Sequence, residues 1–152
     1  MFLQPVDVVY TAVATAENGR DGRVSSDDGK LDVIVNPPKE QGGSGAGTNP
    51  EQLFAAGTNP EQLFAAGYSA CFQGALGVVA RQEKADVSGS RVTAHVDIGK
   101  TPAGGFGLKA EISASIAHVD AATAKDLIEK AHQVCPYSNA TRGNIEVTLT
   151  VA

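Results

Sequence analysis

One long helical pattern constrains the fold more than any other feature of the sequence. From residue 63 onward, apolar and small residues recur at three- and four-residue spacing, which is the period of a helix with one apolar stripe. The stripe consists of Leu63, Phe64, Gly67, Ala70, Cys71, Gly74, Ala75, Val78 and Val79. The pattern predicts a helix that ends between Arg81 and Lys84, and its glycines and alanines allow another helix to approach closely.

A decapeptide, GTNPEQLFAA, occurs twice directly before this helix, at residues 47–56 and again at 57–66. A solenoid needs several copies of a longer unit, so the repeat indicates a local tandem duplication. Each copy carries a helix-start signal, since threonine and glutamate stand three residues apart around an Asn-Pro step, as Thr58 and Glu61 do in the second copy.

The second copy is the one that we expect to keep the native position, because an unaltered stretch joins it to the cysteine helix. The first copy should then be pushed outward as a short extra helical segment from about Pro50 to Ala56. The glycine-rich residues 41–47 lie upstream, where added chain length costs little entropy. This glycine-rich run lacks the Lys-Ser/Thr continuation of a phosphate-binding loop, so we expect no nucleotide there.

The rest of the chain alternates between strand and helix patterns. Alternating or β-branched residues bounded by turn formers predict strands at 8–14, 23–25, 31–35, 91–98, 108–116 and 145–151. Asp120 is placed to cap a second helix, whose predicted apolar stripe is Ala124, Leu127, Ile128, Ala131 and Val134. Pro136 should end that helix and leave residues 135–139 as a helix-to-loop junction. Strand clusters separated by helices predict an α+β fold with antiparallel sheets.

Composition narrows the classes of function. The 152 residues fit one domain, 1–152. Lys plus Arg is 12 and Asp plus Glu is 17, giving a net charge of −5, which argues against a nucleic-acid partner. No apolar run approaches the length of a membrane span, and the N-terminus has no signal-peptide pattern. We therefore expect a cytoplasmic protein without a membrane partner. Since structural disulfides are rare there, its two cysteines are either inert or working thiols.

The residues alone leave three interpretations of Cys71 and Cys135 open. Buried cysteine often packs as a small hydrophobic residue. A metal site would need further ligands, for which His118 and His132 are the candidates, although structural zinc normally uses tighter spacing pairs. A reactive thiolate needs a nearby cation to lower its pKa. Arg20, in the turn at residues 18–22, is the candidate cation, although an arginine in a turn is normally solvated.

Two longer segments decide between these interpretations. Residues 58–72, TNPEQLFAAGYSACF, resemble the active-site signature of the organic hydroperoxide resistance proteins, which belong to the superfamily of osmotically inducible protein C. Residues 134–144, VCPYSNATRGN, resemble the second signature of the same family, and GRDG at 19–22 and GGFGL at 104–108 are similar to it too. The resemblance covers nearly the whole chain, and the two cysteine signatures together are highly specific.

The resemblance implies an architecture and a site. The fold would be an intertwined homodimer in which antiparallel sheets pack around a long central cysteine-bearing helix and a second helix. Cys71 corresponds to the peroxidatic cysteine and Cys135 to the resolving one. Arg20 corresponds to the arginine that steadies the thiolate, and Glu61 to the glutamate that holds this arginine. The duplication leaves open whether Glu51 or Glu61 faces Arg20.

The resemblance also implies a reaction: thiol-dependent reduction of alkyl and fatty-acid hydroperoxides to alcohols, as part of an antioxidant stress response. Electrons would come through dihydrolipoamide from a lipoylated protein, with no bound cofactor or metal. The residues that we expect to line an apolar substrate site are Leu63, Phe64, Phe72 and Tyr137. The alternative is a non-catalytic dimeric member that binds apolar ligands and whose site the duplication has disturbed.

The spacing of Glu61 and Cys71 sets a geometric condition on this site. Ten residues rise about 15 Å along one straight helix, so Glu61 could reach the thiol only from a bent or separate segment. We expect that break at Gly67.

Overall fold

The computed structural model describes residues 7–19, 21–36, 39 and 60–152. The elements in chain order are β1 (Asp7–Glu17), β2 (Gly22–Ser26), β3 (Asp32–Val35), α1 (Pro60–Glu83), β4 (Arg91–Lys100), β5 (Phe106–Ser115), α2 (Ala121–Val134), α3 (Pro136–Thr141) and β6 (Glu146–Val151). The α+β class is confirmed. The first copy of the decapeptide, including the segment expected at 50–56, lies outside the described residues.

The strands form a single sheet in the order β3-β2-β1-β4-β5-β6. The expected N-terminal meander is present, since β1 pairs with β2 and β2 with β3, both antiparallel. The predicted hairpin of β4 and β5 is present too. In contrast to the antiparallel expectation, β5 and β6 run parallel. The helices α2 and α3 form the crossover that a parallel neighbour requires.

The sheet buries small residues where the central helix lies against it. Along β1, the buried side chains alternate as Ala12, Ala14 and Ala16, each 0% exposed, which is the period of a strand with one face on the core. Helix α1 packs on β1 and β4 on one side and on α2 and α3 on another. The alanine surface lets the helix axis approach the sheet, and the long cysteine helix becomes the centre of the protein.

Two expectations about α1 are wrong. The predicted stripe was too narrow, because α1 is covered on more than one side: Tyr68, Phe72 and Leu76 are all 0% exposed, whereas Val78, predicted inside, is 40% exposed. The break expected at Gly67 is also absent, since α1 continues without interruption from Pro60 to Glu83.

Gly67 has a packing role instead of a hinge role. A Cβ atom at this position would lie 2.8 Å from the hydroxyl oxygen of Tyr137. The glycine therefore makes room for a tyrosine ring that lies across the helix.

Helix α1 is long and apolar enough to span a membrane by length and composition, with a mean hydropathy of 1.5 over its most apolar window. However, 72% of that window is buried inside the protein. That burial is typical of the core helix of a folded domain.

The second helix follows its prediction closely at the start and less closely at the end. The side chain of Asp120 accepts hydrogen bonds from the backbone N–H groups of Ala122 and Thr123, as an N-cap should. The predicted stripe is buried except for Val134, which is 52% exposed. After Cys135 the chain enters the short helix α3, where a loop was expected, because Pro136 suits the first position of a helix.

Candidate active site

Two thiols lie in contact in the core between α1 and the junction of α2 with α3. The Sγ atoms of Cys71 and Cys135 are 3.6 Å apart. Cys71 is 4% exposed and Cys135 is 0% exposed, and no disulfide joins them. Since a disulfide bond is about 2.05 Å long, a small movement would bring the sulfurs to bonding distance.

Local structure explains why Cys135 faces α1. Its backbone N–H donates to the carbonyl oxygen of Ala131 at 2.9 Å, which closes the last turn of α2, and its own backbone is extended. Its carbonyl oxygen accepts from the N–H of Asn139 at 2.9 Å, which opens α3. Cys135 therefore ends one helix and begins the next, and both helices hold its side chain against Cys71.

The Cys135 thiol is a poor acid in this environment. Its hydrogen bond to Cys71 and its burial both raise its pKa well above the usual range. The backbone N–H and the side chain of Ser138 both lower this pKa, although the Cys135 side chain makes no capping hydrogen bond to α3. The first two effects are larger, so Cys135 is a protonated thiol that donates to Cys71.

A cluster of buried hydroxyls stands beside the thiols. The hydroxyl of Tyr68 lies 3.0 Å from Oγ of Ser138 and 3.3 Å from Oγ1 of Thr141. Burial raises the pKa of Tyr68, so this phenol stays neutral. The sequence analysis missed all three residues. Tyr68 precedes Cys71 by three positions and Ser138 follows Cys135 by three, and this matched helical spacing was the available signal.

Three aromatic rings cover one side of the site. The ring centres are 5.9 Å apart for Phe64 and Tyr68, 6.1 Å for Phe64 and Tyr137, and 5.8 Å for Tyr68 and Tyr137. Phe64 and Tyr137 are half-buried, as is Leu63, whereas Phe72 is 0% exposed within the core. Three of the expected lining residues thus reach the surface, and Phe72 packs inside.

Of the two charged residues predicted for the site, Arg20 and Glu61, the structure describes only Glu61. Arg20 lies outside the described residues. Glu61 is half-exposed in the first turn of α1, on the same unbroken helix as Cys71 and therefore about 15 Å along its axis from the thiol. The bent segment that was to bring them together is absent.

Gly19, at the end of the described segment 7–19, is fastened to α1 by a residue that the sequence analysis missed. The backbone N–H of Gly19 donates to Oε1 of Gln73 at 3.1 Å, and Nε2 of Gln73 donates to the carbonyl oxygen of Ser90 at 2.6 Å. Gln73 is 7% exposed. A polar residue inside an otherwise apolar helix was the signal for this connection.

The described part of the chain contains no group of three or more His, Cys, Asp or Glu side chains that could hold a metal ion. His132, a candidate ligand, has its pKa lowered by burial and by the charge of Arg142. Its Nδ1 atom is buried without a hydrogen-bond partner among these residues.

Comparisons with known proteins identify one family. Residues 42–150 match the family model described as OsmC-like protein. The chain is 51% identical over 150 residues to the organic hydroperoxide resistance protein of Xanthomonas axonopodis pv. citri (strain 306), covering 97% of this chain and 98% of the relative. It is 41% identical over 142 residues to the organic hydroperoxide resistance protein OhrB of Bacillus subtilis (strain 168), covering 93% and 96%.

Solved structures agree with these relatives. An organic hydroperoxide resistance protein from Elizabethkingia anophelis has a TM-score of 0.60 at 52% identity, with coverage of 96% of this chain and 98% of that chain. The OhrB structure from Bacillus subtilis has a TM-score of 0.61 at 39% identity, with coverage of 95% and 99%.

Proposed function

Because the chain belongs to the OsmC-like family and, within it, to the organic hydroperoxide resistance proteins, we propose that it is a cysteine-based peroxidase that reduces organic hydroperoxides. A role in organic hydroperoxide resistance is supported by the names of its relatives. The contact of 3.6 Å between the Cys71 and Cys135 sulfurs is the observation that carries the thiol mechanism.

The proposed reaction begins with the Cys71 thiolate. It attacks the terminal peroxide oxygen, the O–O bond breaks, and the alcohol leaves after taking up a proton, so that Cys71 becomes a sulfenic acid. Cys135 then attacks the Cys71 sulfur, the S–O bond breaks, and the departing hydroxyl takes the thiol proton and leaves as water. The product is a Cys71–Cys135 disulfide. An external dithiol restores both thiols by exchange and is itself oxidised to a disulfide.

The surroundings of the thiols favour an apolar peroxide. Both sulfurs are buried, and the half-buried side chains of Leu63, Phe64 and Tyr137 pack against the same core. An alkyl or fatty-acid chain placed against these side chains would lose its contact with water, which stabilises binding by about 25 cal/mol per Å² of apolar surface. Hydrogen peroxide has no such surface and gains nothing.

Arg20 is the proposed cation that lowers the pKa of Cys71, with Glu61 as its proposed partner. Glu61 itself does not reach the thiol, because it lies about 15 Å from Cys71 along α1. A positive charge within a few ångströms of a thiolate lowers the pKa by about 1–3 units. Arg20→Ala should therefore shift the pH profile of Cys71 alkylation upward by about that amount. An unchanged profile would assign Arg20 to the solvated surface of the turn.

The partners complete the proposal. The external dithiol is proposed to be dihydrolipoamide on a lipoylated protein, in the cytoplasm, with no bound cofactor. A second copy of the chain is proposed to cover apolar residues that one copy leaves exposed, among them Val9 at 62% and Val78 at 40%. An intertwined homodimer would bury them.

The experiment that tests the function counts thiols before and after one equivalent of an alkyl hydroperoxide. We expect two thiols per chain to disappear and one equivalent of alcohol to form. Cys71→Ser should abolish the reaction, whereas Cys135→Ser should still form one sulfenic acid but fail to turn over with a dithiol. No loss of thiols in the wild-type protein would favour the non-catalytic ligand-binding alternative.

A further inference from the structure

The hydroxyl cluster beside the thiols repeats the geometry of the thiol pair. On α1, Tyr68 and Cys71 stand three residues apart and share a face. At the start of α3, Cys135 and Ser138 have the same spacing. The contact between the two thiols is 3.6 Å and the contact between the two hydroxyls is 3.0 Å. The same packing of α1 against α3 thus forms both pairs.

Each member of this cluster is shielded from water. Tyr68 and Ser138 are 0% exposed and Thr141 is 4% exposed. A buried hydroxyl without a hydrogen bond is costly, so the hydrogen atoms in such a cluster must be distributed among the available acceptors.

Counting the hydroxyl hydrogen atoms of the cluster shows that one of them can be donated to Cys135. Thr141 uses its own hydrogen to donate to the carbonyl oxygen of Ser138 at 3.2 Å. Tyr68 has one hydrogen, which it can donate to Ser138 or to Thr141. When Tyr68 donates to Ser138, the hydrogen of the Ser138 hydroxyl is left for the Cys135 sulfur. Cys135 is the N-cap of α3, and Ser138, three residues later, is at the position whose backbone N–H faces an N-cap side chain.

We propose that Ser138 is a further catalytic residue, whose hydroxyl and backbone N–H stabilise the Cys135 thiolate while it attacks oxidised Cys71, and that Tyr68 is the positioning residue that orients the Ser138 hydroxyl. This inference rests on the proposed peroxidase function. Ser138 and Tyr68 donate hydrogen bonds only. Cys135 gives up its proton before the attack, and the hydroxyl that departs from Cys71 takes up one proton and leaves as water, so the step balances.

The resolving step is where such help is needed. Cys135 is a protonated thiol whose pKa is raised by its contact with Cys71 and by burial. In this state its side chain makes no capping hydrogen bond to α3. A negative charge on sulfur would draw both Ser138 donors closer, because hydrogen bonds to an ionised acceptor are shorter and stronger. The donors therefore act most strongly as the charge develops.

The test separates the two chemical steps in a single turnover. The reduced full-length protein is mixed with one equivalent of cumene hydroperoxide across a pH series, and sulfenic acid at Cys71 and the disulfide with Cys135 are quantified by mass spectrometry after quenching. Ser138→Ala should leave sulfenic acid formation unchanged and slow disulfide closure about tenfold at neutral pH, the loss expected for one hydrogen bond to a charged group. Its closure profile should move to higher pH. Tyr68→Phe should show the same shift with a smaller loss.

The controls distinguish the chemical role from a structural one. Ser69→Ala removes another fully buried hydroxyl of α1, which donates only to the carbonyl oxygen of Ala66 at 3.0 Å, and it should change neither step. Ser138→Thr keeps the hydroxyl and should restore closure. An unchanged closure profile in both Ser138→Ala and Tyr68→Phe, or an equal slowing by Ser69→Ala, would overturn the assignment. If the wild-type protein forms no sulfenic acid, the proposed peroxidase function itself is wrong. Failure of the Ser138 proposal is a different result, in which sulfenic acid forms and disulfide closure is unaffected by the substitutions.

Discussion

Replacing Gly67 by alanine sets two effects of known size against each other. Alanine in a helix interior is favoured over glycine by about 1 kcal/mol, so the substitution alone should stabilise α1. The new Cβ would, however, lie 2.8 Å from the hydroxyl oxygen of Tyr137 and 3.2 Å and 3.3 Å from two of its ring carbons. The ring cannot move away easily, because it packs against Phe64 and Tyr68. Overpacking of this kind costs about 1–3 kcal/mol, so we expect a net loss of up to about 2 kcal/mol.

A double-mutant cycle makes this reasoning testable. In a Tyr137→Phe background the 2.8 Å contact disappears, and Gly67→Ala should become neutral or stabilising by up to about 1 kcal/mol. Urea unfolding of the four proteins at one protein concentration gives the free energies, since association would otherwise change the midpoint. If Gly67→Ala is equally stabilising in both backgrounds, the contact with Tyr137 does not determine the choice of glycine at this position.

Three further predictions concern other parts of the fold. Asp28 has a pKa of about 2, below its ordinary 3.8, mainly because Ser26 donates to it; its stabilising contribution is therefore present above pH 3.8 and lost as the pH falls through about 2, and Asp28→Asn should flatten the stability curve across that range. Leu127→Ala should lower the free energy of unfolding by about 2–5 kcal/mol, whereas Val134→Ala, at an exposed position of the same helix, should change it by less than about 0.5 kcal/mol. If the second decapeptide copy keeps the native place, Glu61→Gln should reduce peroxidase activity sharply and Glu51→Gln should not; the reverse result would place the first copy in the site.

The sequence was most informative where periodicity and local chemistry agree. The order of the elements, the capping role of Asp120 and the N-terminal meander all follow from patterns that lie within a few residues of one another. The parallel pairing of β5 with β6 did not follow, because alternation of side chains describes which face of a strand is buried and not which way it runs. The helix α3 was missed because six residues are too few for a helical period.

The site was harder to predict because its contacts join distant segments. Cys71 and Cys135 were paired only through the resemblance to a family, because a separation of 64 residues in sequence does not indicate whether two side chains are in contact. Tyr68 and Ser138 were missed because a hydroxyl in a helix carries no apolar signal. The narrow stripe predicted for α1 also failed for a physical reason. A central helix is buried on several sides, and its pattern then loses the contrast between an inner and an outer face.

The parallel crossover between β5 and β6 has a consequence for the order in which the protein assembles. Cys71 belongs to a helix that is synthesised before β4 and β5, whereas Cys135 is held between α2 and α3, whose position is fixed at the far end by β6. Since β6 is synthesised after Cys135, this anchoring is completed only once that strand has been added to the sheet. The nascent chain therefore carries Cys71 through much of its synthesis before the elements that hold Cys135 against it are complete.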